Sequence, residues 1–145
     1  MPTDMAADDG RIALLDTSAA VALVVEDHEF HAAAMEAVRG LRLGLAGHAW
    51  FETYSVLTRL PTPLRRSPAD VLRLLARNFP ASRYLAESEA AALGPEIARM
   101  GIAGGAVYDA LVGATARQHG RPLISADARA WPVYEALGVE IRTGR

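Results

Sequence analysis

Cysteine and lysine are both absent from this chain of 145 residues. Without cysteine there can be no disulfide, no thiolate metal site and no cysteine nucleophile. Without lysine, every mechanism that needs a lysine amine is excluded. All 15 basic residues are arginine, a bias that fits high-GC codon usage. Long apolar runs are missing too. The best candidate, from Ile12 to Val25, contains Asp16, Thr17 and Ser18, so no membrane span is expected. The first ten residues carry Asp4, Asp8 and Asp9, the reverse of a basic secretory leader, and a cytoplasmic location is expected. No internal repeat stands out, and no linker is long enough to divide the chain.

What is present suits one hydrophobic core, since 51% of the residues are hydrophobic and the length fits a single domain. Residues 1–10 are expected to be a disordered acidic tail and residues 11–145 one domain. The net charge of −2 looks hostile to nucleic acid. Setting aside four acids singled out below leaves 13 acids against 15 arginines, or +2. Setting aside Asp4, Asp8 and Asp9 as well leaves 10 against 15, or +5. A mildly cationic body permits RNA binding without requiring it.

Helical and strand patterns alternate along the chain. Short apolar strands are expected at Ile12–Leu15, Leu41–Ala46, Ser82–Leu85, Pro122–Ile124 and Val139–Ile141. Helices are expected over 19–25, 28–39, 47–60, 68–78, 88–100, 106–119 and 128–137. Gly40 and Gly120 close two of them, and Gly101–Gly105 forms a glycine-rich joint. Ser67 reads as an N-cap with Pro68 in the first helical position, and Ser88 as the cap of the helix it begins. The alternation implies an α/β fold: a central, mostly parallel sheet of about five short strands in three α/β/α layers.

On that scheme four carboxylates fall at strand ends or early in helices: Asp16, Glu52, Asp109 and Asp127. Such positions face the crevice beyond the carboxyl edge of a parallel sheet. Each has a plain alternative. Asp16 and Asp127 suit helix caps, Asp109 suits a helix dipole, and Glu52 suits a solvated helix edge. Together they call for compensation, because two unit charges about 4 Å apart repel by roughly 4 kcal/mol at an effective dielectric of 20. With no thiolate in the chain, hard oxygen donors favour Mg²⁺ or Mn²⁺ over zinc. Thr17, Ser18 and Ser125 add hydroxyls suited to orienting carboxylates or water. His48, four residues before Glu52, is expected to be a cap or surface group rather than a base.

These residues carry a resemblance. Ile12-Ala-Leu-Leu-Asp16-Thr-Ser-Ala19, Phe51-Glu52-Thr-Tyr-Ser-Val-Leu-Thr-Arg-Leu60, Tyr108-Asp109-Ala-Leu-Val112 and Leu123-Ile-Ser-Ala-Asp127 resemble the four motifs of the PIN-domain ribonucleases. The nearest branch is the VapC-type toxins of bacterial toxin–antitoxin pairs, and the likeness runs from Arg11 to the end of the chain. It implies a metal-dependent endoribonuclease whose acidic quartet is Asp16, Glu52, Asp109 and Asp127, with Ser125 at the usual hydroxyl position. Asp16 would bridge two ions about 3.5–4 Å apart, Asp109 and Asp127 would complete the shell, and Glu52 would bind more weakly or through water. One departure is Ala128-Arg129-Ala130-Trp131 after Asp127, where many relatives carry a further acid. The resemblance also implies a VapB-like antitoxin, a homodimer and an RNA substrate. Trp50, Phe51 and Tyr54 cannot all face the sheet; with Val71, Leu72 and Leu75 they are first expected to pack in the core, and any that stay exposed are the candidate protein interface. Arg59, Arg65 and Arg66 suit either contacts to RNA phosphates or a plain solvated surface, and the sequence does not decide between them.

Two other classes fit less well. An aspartate-phosphorylating domain would place an Asp after its first strand, but the phosphatase form wants a second acid where Ser18 stands, and both forms use a lysine. A non-nuclease binding module of the same fold, or a PIN nuclease of RNA processing, shares the pattern. The binding module would be expected to have lost an acid, and none of the four is missing.

Overall fold

The computed structural model describes residues 10–145, so the acidic tail expected over residues 1–10 lies outside the described residues except for exposed Gly10. The elements follow in the order β1 (Ile12–Leu15), α1 (Thr17–Val24), α2 (His31–Ala37), β2 (Arg42–Leu45), α3 (His48–Thr58) and α4 (Pro68–Asn78). The second half comprises α5 (Glu87–Arg99), α6 (Ala106–Gln118), β3 (Leu123–Ser125), α7 (Trp131–Ala136) and β4 (Ile141–Thr143). The strands form one sheet in the order β2-β1-β3-β4, and every pair is parallel. From β1 the chain moves outward to β2, then crosses back to β3 and β4. The direction of winding therefore reverses between β1 and β3, the place where open parallel sheets bind ligands.

Both faces of the sheet are covered, as the alternation of strands and helices requires. Ile12, Leu14 and Leu123 point into a core with Leu93 of α5, Ala110 and Ala114 of α6, and Tyr134 of α7. Ala13, Leu15, Leu45 and Ile124 point the other way, against Ala19 and Leu23 of α1, Leu57 of α3, and Val71 and Leu75 of α4. Residues two apart share a face in each strand, which is the strand period. The expected three layers are present.

The strand count differs from expectation. Ser82–Leu85 is not a fifth strand but a single parallel bridge, Ala46 to Arg83, beside β2. Ala81 and Arg83 do donate backbone hydrogen bonds to Leu43 and Leu45. The Leu45 N–H, however, is taken by the Ser82 hydroxyl at 2.9 Å instead of by a carbonyl, and this breaks the ladder. A Cβ on Gly44 would lie 2.2 Å from the Ala81 carbonyl oxygen, so only glycine allows this approach. β4 also begins two residues later than expected, because the Val139 N–H bonds back to Tyr134 at the end of α7.

Local signals explain several helix ends. Ser67 caps α4 by accepting from Asp70 N–H, and Pro68 occupies the first position. Gly40 and Gly120 take positive φ after α2 and α6. Ser88 is not a cap, because α5 starts one residue before it. The Ala86 N–H at that end is satisfied by Gln118 from α6, at 2.9 Å.

Candidate active site

The carboxyl edge of the sheet opens into a cleft of about 270 Å³ lined by Asp16, Glu52, Asp109 and Asp127, together with Thr17, Ser18, Tyr134 and Arg129. Asp16 follows β1 and Asp127 follows β3, on either side of the point where the winding reverses. Glu52 comes from the second turn of α3 and Asp109 from the first turn of α6. All four acids singled out in the sequence thus line one cavity.

Asp16 is the most constrained of them, with only 4% of its surface exposed. Its Oδ1 accepts from the Ser18 hydroxyl at 2.6 Å and from the Ala19 N–H at 3.0 Å, so the N-cap role is real. Oδ2 accepts from the Tyr134 hydroxyl at 3.0 Å. Burial pushes the Asp16 carboxyl above the usual carboxylate range, and the bonds from Ser125, Ser18, Ala19 and Tyr134 offset only part of that rise. Burial and the Asp16 charge in turn raise the Tyr134 phenol, which stays a donor. The cap role and a place in the cleft are therefore compatible, since one carboxylate can accept several bonds.

The hydroxyls fix the geometry around it. Ser18 donates to Asp16 and accepts from the Ala126 N–H at 2.9 Å, tying the end of β1 to the turn after β3. Ser125, fully buried, accepts from Trp131 Nε1 at 3.1 Å and from the Asp127 N–H at 3.2 Å. Thr17 donates to Glu52 Oε2 at 2.9 Å. Thr17 and Ser18 each donate to an acid of the cleft, and Ser125 also bonds to Asp16.

Asp127 does not cap α7, which starts at Trp131. It closes a local turn through the Arg129 N–H at 3.1 Å and pairs with the exposed Arg129 guanidinium at 3.0 Å. Asp109 is governed by burial first and by neighbouring charge second. Partial burial pushes its carboxyl up, Arg129 opposes that, and Asp127, Asp16 and Glu52 add to it. The mutual influence of the four acids is what a shared cleft requires.

Two residues that touch the acids were not assigned to the site from the sequence. Tyr134 reaches Asp16 across 118 positions, which no local pattern could reveal. His48 lies 2.9 Å from Glu52 and stacks on Tyr108. It is half-buried and attached to the site, not the cap or surface group expected. The spacing of four residues on one helix was the available signal, because such residues are neighbours on the helix surface.

A family model described as PIN domain matches residues 13–135. The chain belongs to the PIN-domain family. Ribonuclease VapC27 of Mycobacterium tuberculosis is 45% identical over 127 residues, covering 88% of this chain and 93% of that protein. Ribonuclease VapC40 of the same species is 46% identical over 129 residues, covering 87% of this chain and 94% of that protein. Within the family, this PIN domain therefore sits on the VapC branch. The crystal structure of VapBC2 from Rickettsia felis bound to a DNA fragment from their promoter superposes with a TM-score of 0.65. That match covers 91% of this chain and 98% of the other at 12% identity, and so speaks for the fold alone.

As a donor set, the PIN-domain cleft suits a hard divalent cation in kind, with carboxylate and hydroxyl oxygens and no thiolate; Arg129 at its edge is itself a cation and no ligand. Among the described residues, no three Asp, Glu or His groups stand close enough together to cage an ion. The reason is visible in the contacts. Glu52 is turned to Thr17 and His48, and Asp127 to Arg129. Each of these carboxylates has lone-pair sites beyond those its contacts use.

Proposed function

We propose that this PIN domain is a metal-dependent endoribonuclease and the toxin of a toxin–antitoxin pair. The observation that carries the reading is the convergence of Asp16, Glu52, Asp109 and Asp127 on one cleft at the carboxyl edge of the sheet. The names of its Mycobacterium tuberculosis relatives support the ribonuclease assignment. Asp16, Asp109 and Asp127 would hold Mg²⁺ or Mn²⁺, with Glu52 as a weaker ligand. When bound, such an ion lowers the pKa of water and neutralises charge that develops on a phosphodiester during hydrolysis.

The protein's own contribution is preorganisation. Tyr134, Ser18 and the Ala19 N–H hold the buried Asp16 carboxylate in one orientation. Arg129, exposed at the cleft edge and paired with Asp127, is available to an incoming phosphate. The antitoxin and a second copy of the chain are the proposed protein partners. Phe51, Leu72 and Tyr84 are the exposed apolar side chains that support this, with Trp50 half-buried and stacked on Tyr54. Among the described residues no helix is long and apolar enough to cross a membrane. A cytoplasmic site of action goes with this reading.

RNA cleavage by the purified protein in Mg²⁺, Mn²⁺ or EDTA tests the assignment. Activity is expected only with metal, and Asp16→Asn and Asp109→Asn are each expected to lower it by more than about 100-fold, the scale of several kcal/mol of lost charge stabilisation. Undiminished cleavage in EDTA, or by either variant, would refute it.

A further inference from the structure

Glu52 is the one acid of the four that stands neither at a strand end nor in the first turn of a helix. Its position is set from outside its own turn. Oε2 accepts from Thr17 Oγ1 at 2.9 Å, and Oε1 lies 2.9 Å from His48 Nε2. The His48 ring is stacked on Tyr108, with centroids 5.0 Å apart and planes inclined by 19°. Tyr108 immediately precedes Asp109. One chain of contacts, Thr17–Glu52–His48–Tyr108, therefore ties together α1, α3 and α6, three of the helices that line the cleft.

A glutamate this accessible would otherwise sample several rotamers, and fixing it costs conformational entropy. Bonds from two different helices fix both oxygens at once. An ionised carboxylate has about four lone-pair sites, so one bond to each oxygen leaves half of them unused. Glu52 lines the cleft. Partners of this kind, which orient a ligand without touching the ion, commonly matter nearly as much as the ligand.

We infer that His48 is a positioning residue. Clamped against Tyr108, it holds the Glu52 carboxylate at the rim of the acidic cleft and presents the unused lone pairs to a cation there. The role rests on the metal-site reading of that cleft. It does not ask His48 to transfer a proton.

Calorimetric titration of Mn²⁺ into the full-length protein reads the effect directly, without relying on cleavage. His48→Ala and Tyr108→Leu are expected to weaken Mn²⁺ binding by about 10–100-fold. His48→Gln, which restores an N–H donor, and Tyr108→Phe, which keeps the stacked ring, are expected to recover most of it. With Glu52→Gln already present, His48→Ala should add little, because its partner is gone. Thermal melts of the same variants confirm that they fold. Wild-type affinity in His48→Ala, or an equal loss in the Glu52→Gln background, would overturn the positioning role while leaving the metal site intact. Failure of the wild type to bind Mn²⁺ would overturn both the metal site and the positioning role.

Discussion

Tyr134→Phe isolates a single oxygen in the middle of the site. The ring is buried, so phenylalanine fills the same space and only the bond to Asp16 Oδ2 is lost. Hydrogen bonds to charged groups contribute about 1.5–3 kcal/mol. At neutral pH the variant should therefore be less stable by about that amount. For a domain of this size that is a fall in melting temperature of roughly 3–12 °C. The same loss raises the Asp16 carboxyl further, since it removes a bond that favours the charged form.

The direction of the pH effect follows from the raised Asp16 value. Folded Asp16 keeps its proton to higher pH than unfolded Asp16. Between the two values the native state binds more protons, so stability falls as pH rises through that window. Tyr134→Phe extends the window upward. At about pH 3, where Asp16 is protonated in both states, the variant loses only a neutral bond, about half as strong. Calorimetric melts of wild type, Tyr134→Phe, Asp16→Asn and the double variant at both pH values check this. A deficit that does not shrink at low pH, or is undiminished in the Asp16→Asn background, refutes the argument.

Gly44→Ala should destabilise by about 1–3 kcal/mol or more, because its Cβ would meet backbone atoms of Ala81 and Ser82 that cannot rotate away; urea denaturation measures it, and a neutral result would mean the bridge beside β2 is dispensable. Arg129→Gln should raise the Asp109 carboxyl further, since Arg129 is the cation opposing its rise; a carbon-detected NMR titration that finds it lowered would contradict the shared-cleft electrostatics. Phe51→Asp with Leu72→Asp should leave stability within about 0.5 kcal/mol per site, as both side chains are exposed, yet abolish the proposed self-association. Light scattering reads the second effect, and an intact dimer would remove these residues from the interface.

Much of this arrangement was legible in the sequence, because local rules govern it. Alternating apolar strands and glycine-stopped helices give the layered parallel sheet, and the placement of the four acids on that sheet gives the cleft. The failures share a cause, which is partners distant in sequence. Ser88 looks like a cap, but Gln118 satisfies that helix end from 32 residues away. The fifth strand is reduced to a bridge because a Ser82 side chain replaces a carbonyl in the ladder.

Tyr134 is the instructive case, since its local signal points to core packing, and the ring is indeed in the core. What directs its hydroxyl is the approach of α6. A Cβ on Gly113 would lie 3.1 Å from Tyr134 Cδ1 and equally near Leu137, so the glycine lets α7 settle close enough for Tyr134 to reach Asp16. A polar tip on an apolar ring needs a partner when buried, and here the partner is a carboxylate that needs a donor. The two requirements meet only in three dimensions, and that is why one buried acid can stand beneath a cleft made of three more.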